Sequence, residues 1–182
     1  MGVDHRKFYK QFDNSGEYMI LNTGSIPETE GIYESVIAAD NVDANIFHTG
    51  PNLQLKNKSY KVASEWLTVP QMQNAYQTCK YTSGMRRIEG FEKTVIEGIL
   101  CGSRPICFDT ALYKYWYSNL AEYVKEGTAR ETAVDLQKIF SGPYRAVTDK
   151  EREIALQSFA WVNVAKNYWD SFNDITGGDN GK

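Results

Sequence analysis

Glu89 and Glu97 stand eight residues apart in the segment Glu89-Gly90-Phe91-Glu92-Lys93-Thr94-Val95-Ile96-Glu97-Gly98-Ile99-Leu100-Cys101-Gly102. On an α-helix that spacing is a rise of about 12 Å along nearly one face. Gly90 loosens the chain just before the apolar-periodic stretch, and the free N–H groups of a helix start attract an anion. One carboxylate therefore marks the mouth of a helix and the other lies two turns deeper, with a phosphate-friendly N-terminus between them. Such an arrangement suits a nucleotide sugar, with hydroxyls at one end, a diphosphate in the middle and ribose hydroxyls at the other. By spacing alone the plainer reading is favoured, an amphipathic helix with two solvated glutamates, because carboxylates at helix starts are common.

The other reactive side chains form weaker patterns. His48 closes a short apolar run and His5 lies in a polar entry segment, and neither has Ser/His/Asp or Cys/His company for nucleophilic catalysis. Tyr113, Tyr115, Trp116 and Tyr117 follow Asp109 and Thr110. They could stack a base or a sugar, but aromatics at helical spacing more often pack a core. Cys79, Cys101 and Cys107 are odd in number and irregularly spaced, which is neither a disulfide framework nor a zinc pattern and fits a reducing cytoplasm. No metal site and no cofactor are expected.

The elements that must position these residues alternate between strand and helix. Tyr18–Thr23 is an apolar run halted by Gly24 and reads as a buried strand. Pro27 suits a first helical turn, followed by an apolar stripe of Ile32, Val36 and Ile37 down to Ala39. Short strands are expected over Asn45–His48, Tyr60–Ala63, Lys80–Thr82 and Pro105–Phe108. Helices are expected from Pro70 through Tyr76, from Glu92 to Cys101 with Gly102 as the stop, in part of 110–124, over 129–140, and from Asp149 to Phe172. Strands alternating with helices imply a parallel sheet covered on both faces, an α/β, Rossmann-like fold with extra C-terminal helices.

The chain has 182 residues, 42% hydrophobic and 24% charged, with a formal net charge of −3. One domain over 1–176 and a flexible tail at 177–182 are expected. Nucleic-acid binding by bulk charge is disfavoured, since such domains usually present a basic face. No run approaches the ~18 apolar residues of a membrane span, and the N-terminus does not read as a signal peptide.

The order of residues in the Glu89 segment resembles the donor-site motif of GT-B fold glycosyltransferases of the glycosyl transferases group 1 type. That pattern runs Glu-Gly-Phe-Gly, a second Glu eight residues after the first, then a small residue, a Gly, a Pro and a strand. Glu89, Gly90, Phe91, Glu97, Gly102, Pro105 and Ile106 fall on it. Further pieces occur in matching order: Gly2-Val3-Asp4 with Phe8, the strand and loop Leu21 to Gly31, Gly50-Pro51, and Phe159 to Ala165. The resemblance spans almost the whole chain and implies the C-terminal, donor-binding half of a two-domain retaining enzyme. It implies that Glu89 bonds the transferred sugar and supports charge at its anomeric carbon, and that Glu97 accepts from the ribose hydroxyls. Backbone N–H groups at Gly90, Phe91 and Glu92 would hold the diphosphate. An N-terminal GT-B half or a partner subunit would supply the acceptor side.

Three positions depart from the pattern. The loop after the first strand normally carries Gly-Arg and then a Lys five residues on; here Gly24 is followed by Ser25, and the Lys position is Glu30. The Gly after Glu-Gly-Phe is Glu92. Losing two cations and gaining an anion beside a diphosphate weakens binding unless another cation compensates. Lys93, Arg86 and Arg87 flank the motif as replacements, with Lys93 the first choice and Arg87 the second. A non-catalytic nucleotide-binding or protein-interaction module that kept the fold is the alternative.

Overall fold

Ile20 and Leu21, both without solvent exposure, sit at the middle of the first strand, β1 (Tyr18–Thr23), and the rest of the sheet assembles on either side of it. The computed structural model describes residues 1–55, 60–64, 67–88 and 90–176, so Glu89 and the expected tail at 177–182 lie outside the described residues. β2 (Ile46–Thr49) pairs with β1 through Ile20 opposite Ile46, and β3 (Tyr60–Ser64) continues outward from β2. On the other side lie β4 (Cys79–Gly84), β5 (Arg104–Phe108) and β6 (Glu122–Val124). The order is β3-β2-β1-β4-β5-β6, with every pairing parallel. This is the α/β architecture that the alternation of strand and helix implies.

Successive residues of a strand point to opposite faces, and β4 shows what each face meets. Tyr81 packs against Phe140 of α5 (Ala129–Ser141), which lies with α1 (Ile32–Asn41) on one face. The next residue, Thr82, faces α3 (Lys93–Cys101) on the other, where α3 contacts α2 (Val69–Thr78) and α6 (Asp149–Phe159). Gly98 allows that approach: a Cβ there would collide with the Thr82 methyl group. α4 (Ala111–Tyr117) is followed by a single 3-10 turn, Ser118–Leu120, before β6. Nothing in the sequence marked the three residues of β6, which pair at Ile106, Cys107 and Phe108 of β5.

Two expected helices differ from those observed, each for a tertiary reason. The first begins at Ile32 rather than near Pro27, because the amides of Thr29 and Glu30 both turn back to the Ile26 carbonyl and Gly31 takes a left-handed φ of 63°. A Cβ at Gly31 would also collide with Met85. The long segment expected over 149–172 is two helices, α6 and α7 (Trp161–Ile175), broken at an extended Ala160. Val3 causes the break: its amide donates to the Phe159 carbonyl at 2.8 Å and its carbonyl accepts from Trp161 at 3.1 Å. The N-terminal Gly2-Val3 thus acts as a bridge into the chain end.

Arg104 ties the sheet to α6. Its guanidinium has no solvent exposure and uses all five N–H donors, on the carbonyls of Leu120, Arg145 and Ala146 and on both carboxylate oxygens of Glu151 at 2.9 Å. Glu151 also closes a capping box with Thr148 at the start of α6.

Candidate functional site

The chain leaves β1 outward to β2 and β3, then returns to β4 on the other side of β1. At such a reversal the loops after the two central strands diverge and leave a crevice at their carboxyl ends, the usual ligand position in an open α/β sheet. A crevice of about 230 Å³ lies there. Thr23, Gly24 and Ser25 line it from the end of β1, Gly50 and Pro51 from β2, and Thr94 from the first turn of α3. The loops meet closely: Gly24 and Gly50 have φ of 130° and 143°, and a Cβ on Gly50 would collide with the Gly24 carbonyl. Only glycine fits at these two positions.

Three charged side chains contact residues of the crevice lining without lining it themselves: Arg86 at Thr23, Glu30 at Gly24 and Glu92 at Thr94. The Arg86 guanidinium is buried, with Nε 3.2 Å from Glu92 Oε2 and 3.8 Å from Glu30 Oε1. Its other nitrogens donate to the Glu30 carbonyl at 3.1 Å, the Thr23 hydroxyl at 2.9 Å and the Thr23 carbonyl. Glu30 folds back over Gly24 and accepts the Ile26 amide at 2.7 Å. Glu92 is the N-cap of α3, accepting the Thr94 amide at 3.2 Å and the Thr94 hydroxyl at 2.9 Å. Two tyrosines of the aromatic cluster hold this corner: Tyr113 donates to the Arg86 carbonyl, and the Tyr117 hydroxyl both accepts from the Glu92 amide at 2.8 Å and donates to its carbonyl. They are buried packing and anchoring groups, while Tyr115 and Trp116 reach the surface.

Of the motif residues, Glu97 lies on the α2 side of α3, half-buried, and accepts a hydrogen bond from Tyr76 at 2.9 Å. Burial raises its pKa, with the Tyr76 bond and the Lys93 charge acting the other way. Lys93 opens α3, is exposed and forms no ion pair among the described residues. Gly90 is exposed, and a Cβ there would make only an ordinary contact with the Leu112 side chain. Phe91 is buried against Trp116, Tyr117 and Phe159, so its ring is a core contact that anchors the loop instead of a ligand surface.

Arg87 points elsewhere. It bonds Glu34, Glu126 and the carbonyls of Glu28 and Gly127, with its guanidinium 4.6 Å over the Phe108 ring. Those partners belong to the turn before α1, to α1 and to the β6–α5 turn, so Arg87 braces the fold, whereas its neighbour Arg86 bonds Thr23 of the crevice wall. Successive residues leaving a strand turn to opposite sides, and charge alone could not say which of the two faces inward. His48 is fully buried on β2, and neither ring nitrogen has a hydrogen bond of normal geometry. Burial lowers its pKa, partly offset by the Pro51 backbone and the Glu30 charge. The inward role of Glu30 was not foreseen; the signal was present as an acidic residue at a position where the resembling pattern carries a cation.

No protein-family model and no curated protein matches the sequence. Solved structures match the fold. AviGT4, a glycosyltransferase involved in avilamycin A biosynthesis, superposes with a TM-score of 0.74 at 13% identity over 97% of this chain and 57% of its own. A sucrose-phosphate synthase from Thermosynechococcus elongatus gives 0.76 at 16% identity over 96% and 51%. The apo form of the lipopolysaccharide outer core galactosyltransferase WaaB gives 0.72 at 13% identity over 96% and 54%. The chain therefore has the GT-B glycosyltransferase fold and spans about half the length of the structures that it matches.

Proposed function

We propose that this chain is the donor-binding half of a retaining glycosyltransferase that takes its sugar from a nucleoside diphosphate sugar. The observation that carries the reading is the crevice at the β1/β4 reversal, bordered by the first turn of α3 and set in the fold of half a GT-B enzyme. In this reading Glu97, directed by Tyr76, accepts the ribose hydroxyls. Backbone donors at Gly90 and Phe91 face the diphosphate, the Glu92 amide being already taken by the Tyr117 hydroxyl, and Glu89 bonds the transferred sugar at the anomeric end. Lys93 supplies a cation at the mouth of the helix.

The acceptor side comes from an N-terminal half or a partner subunit. Its docking surface includes α7, where Trp161, Val162, Tyr168, Trp169 and Phe172 are all more than half exposed. Among the described residues no helix is long and apolar enough to cross a membrane. Three buried free thiols at Cys79, Cys101 and Cys107 support a reducing, cytoplasmic setting.

A calorimetric titration with UDP-, GDP- and ADP-sugars tests the reading: micromolar binding of one of them supports it, and silence across all three refutes it. The second reading, a non-catalytic module, is favoured by the Arg86–Glu30–Glu92 cluster, in which the chain's own carboxylates occupy the only buried cation beside the crevice among the described residues.

A further inference from the structure

Two sets of anion-seeking donors border the crevice, and both are already occupied by carboxylates of this chain. Glu30 caps the amide of Ile26 while lying on Gly24, and Glu92 caps the first turn of α3 through Thr94. Arg86 bridges the two from beneath, with its remaining donors on Thr23 and on the Glu30 backbone. Two carboxylates against one guanidinium leave this corner with a net negative charge, so a diphosphate approaching it meets like charge while both stay in place. A second observation concerns the wall next to the same corner. His48 is fully buried, its ring nitrogens make no hydrogen bond of normal geometry beyond an interaction with the Pro51 backbone, and its Nε2 lies 3.1 Å from the position of a Cβ on Gly50 in the crevice wall.

The two carboxylates are not equally fixed. Glu92 is bonded by the amide and the hydroxyl of Thr94 and sits closer to Arg86, at 3.2 Å. Glu30 holds one backbone amide, belongs to a turn that precedes α1, and sits farther from Arg86, at 3.8 Å. Glu30 is also the carboxylate packed against Gly24, which itself lines the crevice.

We infer that Glu30 is an internal stand-in for the diphosphate, and that a nucleoside diphosphate binds by displacing its carboxylate from Gly24 and Ile26 and taking over Arg86 as its cation. This rests on the donor-binding reading and adds two things to it. It assigns the phosphate-gripping role to Arg86, and it makes Glu30 a competitor that sets how tightly the diphosphate is held. The exchange replaces one anion by another at the same donors, so the loop keeps its hydrogen bonds and the guanidinium keeps a partner.

The test is calorimetry on the wild-type chain, Glu30→Gln and Arg86→Lys, with UDP, GDP and ADP and the three corresponding nucleosides as probes. Glu30→Gln keeps the acceptor for Ile26 and removes the charge; it is expected to tighten the bound diphosphate at least tenfold and to leave its nucleoside unchanged. In Arg86→Lys, which retains a cation but not the fork of donors, the diphosphate is expected to weaken at least tenfold with the nucleoside again unchanged. Circular dichroism melting checks that both variants fold, and if Arg86→Lys does not, Glu30→Gln decides alone. A diphosphate that binds wild type and Glu30→Gln equally, or binds the variant more weakly, overturns the exchange while leaving donor binding standing. Nucleosides and diphosphates that are all silent on both proteins overturn the donor-binding reading and the exchange with it.

Discussion

The Tyr76 hydroxyl donates to Glu97 Oε2 at 2.9 Å from a ring with no solvent exposure, so α2 sets the direction of the carboxylate that α3 carries. Burial raises the Glu97 pKa and the tyrosine bond opposes that rise. Glu97→Gln is therefore expected to keep the fold and weaken nucleotide binding by roughly 1–3 kcal/mol, the range for hydrogen bonds to a charged group. Unchanged affinity in calorimetry would make the residue purely structural.

Tyr76→Phe removes the bond that favours the ionised carboxylate, so the folded-state pKa of Glu97 rises further. A raised carboxylate pKa means that folded stability is present at low pH and declines as the pH climbs through the folded value. The variant should lose more stability at pH 7 than at pH 4, read by denaturant melts at both. Equal losses would show that the hydroxyl does not act through Glu97.

Arg104 and Glu151 make the opposite kind of pair. Burial alone would raise the Glu151 pKa, but the Arg104 bonds and the Thr148 cap outweigh it and bring it down to about 2 from an ordinary 4.5. Stability from this pair is complete above the unfolded value and is lost as the pH falls from about 4.5 toward 2. Glu151→Gln should cost about 3 kcal/mol at pH 7 and much less at pH 2.5. A pH-independent loss would place the effect in the capping box.

Arg87→Met tests the brace. It leaves Glu34, 1% exposed, without its cation, and should cost about 3 kcal/mol at neutral pH. Burial already raises the Glu34 pKa, so the loss should shrink as the pH falls and the carboxylate takes up a proton. Nucleotide affinity should stay within twofold. A large change in affinity with little change in melting temperature would return Arg87 to the crevice.

On α7, Trp169 and Phe172 stack with ring centroids 6.3 Å apart on the exposed side of the helix. Exposed apolar patches commonly mark interaction sites, and the proposed acceptor-side partner would cover this one. Sedimentation velocity should show the chain self-associating, and Trp169→Ser with Phe172→Ser should return it to a monomer without lowering its melting temperature. A wild-type monomer at high concentration would contradict this.

What the sequence determined by itself is local. The apolar run of β1 stops at Gly24, α3 ends at Gly102 with a left-handed φ of 95°, and the alternation of strand and helix implies a parallel sheet; propensity and periodicity act over a few residues and need no partner. The spacing of Glu89 and Glu97 and the order of small motifs carried the resemblance to a glycosyltransferase fold. Tertiary structure decided everything that depends on a distant partner. Val3 breaks the last helix because its strand-like backbone bonds to Phe159 and Trp161 across the whole chain. Arg86 turns to Thr23 of the crevice wall and Arg87 does not, because Glu30 and Glu34, distant in sequence, each sit beside a different one of the two adjacent guanidinium groups. Charge in a sequence has a sign but no direction, and only the packed loops after β1 and β4 bring Glu30, Arg86 and Glu92 to one point.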